Sequence, residues 1–144
     1  MAGYSKETII KTSPEAVFGY VSDMPKHSEW ASHDLTVTST SEGAPGVGST
    51  FASVGHQFGV QRETQSVTEY EPGRRFAFES RGKLGLARHS FDLEAGPDGS
   101  TRLTKSMSLV KPSLMARFTL PMIGRQTSAG LEEDLRRIKA KLEA

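Results

Sequence analysis

Apolar residues change their period once along this chain, from loose alternation up to about residue 110 to a spacing of three and four near the end. Leu131, Leu135, Ile138 and Leu142 stand at steps of four, three and four, which puts them on one stripe of an α-helix. The positions around them, Glu132, Glu133, Asp134, Arg136, Arg137, Lys139 and Lys141, are charged. The pattern predicts a surface helix with one buried face. Glu132 with Arg136 and Glu133 with Arg137 stand at i,i+4, acid before base, which suits local pairing and the helix dipole. Upstream, Met115, Phe118 and Met122 form a second apolar stripe on nearly the opposite side. Pro121 and Gly124 lie between the stripes, so a kink or break is expected near 121–124.

The preceding chain reads as strands and turns. Tyr4–Thr12 is a strand rich in β-branched residues. Ser13-Pro14-Glu15-Ala16 then offers a capping hydroxyl, proline at the first helical position and an early acid, which predicts a helix to about Asp23. Pro25 opens a second short helix ending at Ala31. Strands follow at Leu35–Ser41, Ser49–Gly55, Gln61–Glu71, Arg75–Ser80, Leu86–Glu94 and Thr101–Val110, separated by Gly- and Pro-rich turns such as Gly96-Pro97-Asp98-Gly99. The expectation is an α+β domain: a seven-stranded antiparallel meander, two short helices after the first strand, and a long kinked helix covering one sheet face.

Composition narrows the chemistry. At 144 residues one domain spanning 1–144 is expected, with a single core. Eighteen basic and 17 acidic side chains, well mixed to a net charge of +1, give no case for nucleic acid or an anionic membrane. No apolar run approaches a membrane span, and residues 1–12 lack a signal-peptide core, so the expected compartment is the cytoplasm. The absence of cysteine excludes disulfides and thiolate chemistry. His27, His33, His56 and His89 show no metal-ligand spacing, and no phosphate loop or nucleophile elbow is present, so neither metal nor cofactor is expected.

Five segments, in order, carry a resemblance. They are Ile10-Lys11-Thr12-Ser13-Pro14-Glu15-Ala16-Val17-Phe18; Val21-Ser22-Asp23 followed by Trp30; Gly46-Val47-Gly48-Ser49; Val67 through Phe76; and Asp98 through Thr104. Together they resemble the START-related, or SRPBCC, superfamily, and within it the polyketide cyclase and dehydrase group. The resemblance implies a helix-grip fold, in which a curved seven-stranded sheet wraps the terminal helix around an elongated apolar cavity. It implies little about chemistry, because that superfamily includes carriers, cyclases, hormone binders and accessory modules without a shared catalytic set.

Period-two alternation proposes the inner face. Leu93, Phe91 and His89 share one face opposite Leu103, Lys105 and Met107; Phe76, Phe78 and Ser80 share another, with Phe78 beside His89 in one register. The candidate cavity residues are Trp30, Phe51, Gln65, Phe76, Phe78, Ser80, His89, Phe91, Lys105, Met107, Met115, Phe118 and Met122. His89, Glu63 and Lys105 are the candidates for proton chemistry. Two readings stand for His89, a polar group in the cavity or a hydrogen-bonded core histidine. Two stand for Lys105, an inward ammonium paired with Glu63 or a residue turned to solvent by a bulge. Residues 112–121 read as a gate, an ordinary kinked turn or a dimer contact. The leading functional expectation is binding of a hydrophobic small molecule, whether lipid, polyketide or aromatic metabolite, by a monomer or homodimer. The alternatives are a polyketide cyclase or dehydratase working in the same cavity, and a protein-interaction module with a vestigial one.

Overall fold

The computed structural model describes residues 2–56, 59–118 and 120–144, with side chains there except at 2, 115 and 120–123. Seven strands form one antiparallel sheet: β1 (Ala2–Ile10), β2 (Leu35–Ser39), β3 (Thr50–His56), β4 (Val60–Glu71), β5 (Arg75–Gly82), β6 (Gly85–Ala95) and β7 (Thr101–Pro112). The order across the sheet is β1-β7-β6-β5-β4-β3-β2, so hairpins join β2 through β7 and β1 closes against the last strand. The link from β1 to β2 therefore crosses the whole sheet. It carries α1 (Pro14–Val21) and a 3-10 helix (Met24–Glu29).

Local chemistry accounts for these elements. The Ser13 hydroxyl accepts from the Ala16 amide at 3.2 Å and Pro14 takes the first turn of α1, as the capping pattern predicts. In β4 the pairing slips by one residue between Val67 and Glu69. That bulge lets Val67 and Tyr70, an odd and an even position, both reach the core. The tight β5–β6 turn depends on Gly85 at φ +110°, where a Cβ would stand 2.0 Å from the Lys111 carbonyl oxygen.

The C-terminal region departs from expectation. Strand β7 continues to Pro112, and helix is described over α2 (Leu114–Phe118) and α3 (Leu120–Leu142). No break falls at the expected 121–124: α3 runs through Pro121 and Gly124. A Cβ at Gly124 would lie 2.7 Å from the Tyr4 hydroxyl, so α3 approaches β1 closely there. Leu131, Leu135 and Ile138 are buried as the stripe predicts. Leu135 and Ile138 close a core of Ile10, Val17, Phe18, Val21, Phe76, Phe91 and Leu103, in which Phe76 and Phe91 pack with centroids 6.0 Å apart. Among the described residues no helix is long and apolar enough to cross a membrane.

Candidate functional site

The same strands that build the core also leave it unfilled. Phe76 pairs with Phe91 across β5 and β6, and one step along the same inner face Phe78 pairs with His89. The Phe78 and His89 rings stack at 4.8 Å and 12°. On β7, Lys105 stands opposite Phe91 and Met107 opposite His89. From this point toward the β5–β6 turn, three adjoining hollows of about 100, 110 and 120 Å³ open between sheet and α3, all three bounded by His33 and His89.

Lys105 is the central group. It is 6% exposed, and its Nζ lies 3.5 Å from Asp134 Oδ2 on α3. A charge-assisted N–H···O bond is normally shorter, about 2.7–2.9 Å, so this pairing leaves ammonium hydrogens free for another acceptor. The Trp30 and Phe91 ring centroids are 5.5 and 5.3 Å away, close enough for cation–π attraction. Asp134 is fixed by a second bond, its Oδ1 accepting from the Ser32 amide at 2.7 Å.

The imidazoles here are neutral at pH 7. His27 is buried, and its Nε2 lies 2.8 Å from the Val21 carbonyl oxygen, so that nitrogen carries the hydrogen and donates it. Burial pushes His27 down to about 3. His89 is likewise pushed down to about 3, by burial first and then by the Lys105 and His27 charges; its Nε2 sits 3.3 Å from the Ser80 hydroxyl. Burial also lowers His33 and raises the Glu63 carboxyl above its ordinary range. Glu63 has no ion-pair partner among the described residues.

Three buried polar atoms beside the same hollow lack partners: Trp30 Nε1, a donor; Gln65 Oε1, an acceptor; and His33 Nδ1. The Gln65 amide nitrogen is satisfied by Ser53 Oγ at 2.7 Å, which holds its oxygen in place. An unpaired buried polar atom costs on the order of 1–3 kcal/mol, and such atoms mark where a polar partner fits.

Trp30, Gln65, Phe78, Ser80, His89, Lys105, Met107 and Glu63 all line these hollows. Four expectations are corrected. Phe76 and Phe91 are core residues rather than cavity lining. Phe51 lines none of the three hollows but two other pockets. One, of about 370 Å³, lies between α1, the 3-10 helix and the loop before β3, and its one charged wall residue is Asp23. The other, of about 270 Å³, it shares with Gln65 and Ser80. Phe118 is 82% exposed on the outer face of α2, away from the cavity. The Lys105 partner is Asp134, not Glu63. Met115 and Met122 lie outside the described side chains. Asp134 was missed because it reads as one charge among many on α3. The available signal was its position, three residues after Leu131 and four before Ile138, on the edge of the apolar stripe. His27, in the 3-10 helix, and His33, on the irregular chain after it, carried no periodic signal, whereas Trp30 was expected in the cavity.

A curved seven-stranded antiparallel sheet gripping a terminal helix around a partly polar cavity is the architecture under comparison. The family described as polyketide cyclase / dehydrase and lipid transport matches residues 1–143. The chain belongs to that family. No curated protein gives a significant match. Among solved structures, the fold resembles protein CV1439 from Chromobacterium violaceum (15% identity, TM-score 0.77, covering 100% of this chain and 99% of that one). It also resembles TTHA0849 from Thermus thermophilus (13%, TM-score 0.79, 98% and 97%). A third is the Zhui aromatase/cyclase from Streptomyces sp. R1128 (14%, TM-score 0.77, 99% and 93%). At these identities the likeness is one of fold, and the helix-grip expectation holds.

Proposed function

We propose that this family member binds a compact, mostly apolar molecule carrying both an acceptor oxygen and a hydroxyl, with the acceptor on Lys105 Nζ. The observation that carries the reading is the buried ammonium with a single, long carboxylate contact. Trp30 Nε1 supplies a second donor for the same oxygen-rich end, Gln65 Oε1 accepts from the hydroxyl, and Phe78 and Met107 flank the apolar body. Size sets the class. A cavity of roughly 150 Å³ holds benzene, so hollows of 100–120 Å³ that adjoin one another suit a ring-sized ligand better than a long acyl chain.

The test is calorimetric binding of para-hydroxyacetophenone against ethylbenzene, two single-ring probes that differ in their oxygens. The expected result is at least tenfold tighter binding of the oxygenated probe, and loss of that preference in Lys105→Met. Equal affinities in the native protein would overturn the reading.

A second reading is dehydration or cyclisation in the same cavity. It is favoured by Glu63, a carboxyl that burial holds toward its protonated form and that shares walls with the neutral His89. A protonated Glu63 can give its proton to a departing hydroxyl, which leaves as water as the C–O bond breaks. The carboxylate so formed takes the proton from the adjacent carbon as the double bond forms, restoring Glu63. Under that reading Glu63→Gln binds the cellular ligand normally and no longer converts it. His89, with its pKa near 3, serves as a hydrogen-bonding wall rather than a base.

A further inference from the structure

The mixed charge of the sequence sorts itself in space. The end of β3, the start of β4, the β5–β6 turn, the end of β7 and the start of α3 meet at one end of the sheet. Gly82 lies against Arg62 and Glu63, a Cβ at Gly59 would lie 3.6 Å from Lys83 Nζ, and the Ser113 amide donates to the Leu84 carbonyl at 3.0 Å. Arg62, Arg81, Lys83, Lys111, Arg117 and Arg125 are exposed at this end, and among the described residues none forms an ion pair. Its carboxylates are Asp34, the inward Glu63, and Glu79, which Arg88 holds.

At the opposite end most bases are engaged: Arg75 with Glu69 and Asp92, Arg74 with Glu71, Arg102 with Glu94, and Lys139 with Glu143, while Lys11 and Lys141 form no ion pair among the described residues. A net charge of +1 therefore hides a molecule with unpaired cations at one end.

Apolar side chains stand out from that same end. Leu114 is 72% exposed and Phe118 82% exposed, at i and i+4 of α2, while Ala116 between them is buried; Val60 at the start of β4 is also exposed. The hollow lined by Gly55, Gln61, Leu84, Gly85 and Thr127 lies between the same strand ends. Apolar tips ringed by long cations match the headgroup layer of an anionic bilayer: the tips enter the acyl boundary and the cations stay at the phosphates. Leu114 and Phe118 stand on α2 and Val60 on β4, two segments distant in sequence. A bilayer requires only that they project together, whereas a partner protein requires a matched contour.

We propose that this end of the molecule docks on an anionic lipid surface through Leu114, Phe118 and Val60, with Lys83, Lys111 and Arg117 among the cations that hold it there. This reverses the expectation drawn from net charge, and it does not depend on the ligand reading.

The experiment is flotation of the intact protein with phosphatidylcholine vesicles, with and without phosphatidylglycerol. The expected result is binding to the anionic vesicles alone, weakened by added salt. K83E/K111E/R117E reduces that binding by about a hundredfold or more, taking roughly fivefold per cation, and L114S/F118S reduces it at unchanged charge. All five positions are exposed, so both variants retain the native melting temperature and the para-hydroxyacetophenone affinity. That last comparison separates failure of the docking proposal from failure of the ligand proposal. Absence of flotation with anionic vesicles, or equal flotation of native and charge-reversed protein, would overturn the proposal. So would stable association with an acidic protein without any vesicle binding.

Discussion

The two halves of the inner sheet face use the same strands for opposite purposes. Around Phe76, Phe91, Leu103 and Ile138 the interior is apolar and filled. One pairing step away, around Phe78, His89 and Lys105, it is polar and hollow. Both regions obey the same alternation, so the direction a side chain faces is fixed by the pleat. What differs is whether the residue types at those inward positions can fill the space. The filled half supplies stability. The hollow half holds a buried ammonium, four titratable groups shifted by burial and orphaned hydrogen-bonding atoms, arrangements that are costly without a use.

The sharpest way to break the comparison is to charge the filled half. Leu135→Asp places a carboxylate in the contact between α3 and the core, and the expected loss is about 4 kcal/mol or more, read as a chain unfolded or nearly so by circular dichroism. A folded variant with native melting temperature would contradict the grip of sheet on helix.

In the hollow half, Lys105→Met leaves Asp134 buried against one remaining amide, at an expected cost of about 3 kcal/mol in urea unfolding. Lys105→Met with Asp134→Leu removes both charges and should recover most of that loss. A double variant less stable than the single one would show that the pair stabilises the fold itself. That outcome would remove its assignment to the cavity's function.

Acid titration sharpens the contrast next. The His27 and His89 pKa values are lowered from 6.5 to about 3 in the folded chain, so below pH 6.5 the unfolded chain binds protons that the native state refuses. Stability present above pH 6.5 is lost as pH falls toward 3, by about 2 kcal/mol for the two imidazoles between pH 6.5 and 5.5. His33 adds loss of the same sign. Glu63, raised by burial, acts oppositely, losing stability as pH rises above its unfolded value near 4.5. Replacing His89 with Gln should flatten the acid limb of melting temperature against pH. An unchanged slope in that variant would place His89 in contact with solvent.

The smallest effect belongs to the exposed turn. Arg74→Ala removes a solvent-exposed pairing with Glu71 at 3.8 Å, and the expected change is below about 0.5 kcal/mol by the same unfolding assay.

Most of the fold was legible because its signals are local. Ser13-Pro14 marks the start of α1, the Gly- and Pro-rich turns separate the strands, and period two places His89 and Lys105 inward. Three features were not local. Asp134 needed the sheet opposite it before its place beside Leu135 meant burial. The end of β7 at Pro112 is not shown by its apolar pattern. Unpaired cations at one end became visible only when strands distant in sequence brought Arg62, Lys83, Lys111 and Arg117 together. Within the site, alternation found the strand residues, whereas His27 in the short 3-10 helix and His33 on irregular chain lie where no strand or α-helical period applies.

The most direct test of the cavity reading uses Trp30, the single tryptophan in the chain, whose indole N–H gives one resonance in a nitrogen-15 correlation spectrum. Titration with para-hydroxyacetophenone should move that resonance downfield as Nε1 acquires an acceptor, with saturation at the calorimetric affinity, and ethylbenzene should not reproduce the downfield movement. An indole signal unmoved by the oxygenated probe, or moved equally by both, would contradict a polar ligand held between Trp30 and Lys105.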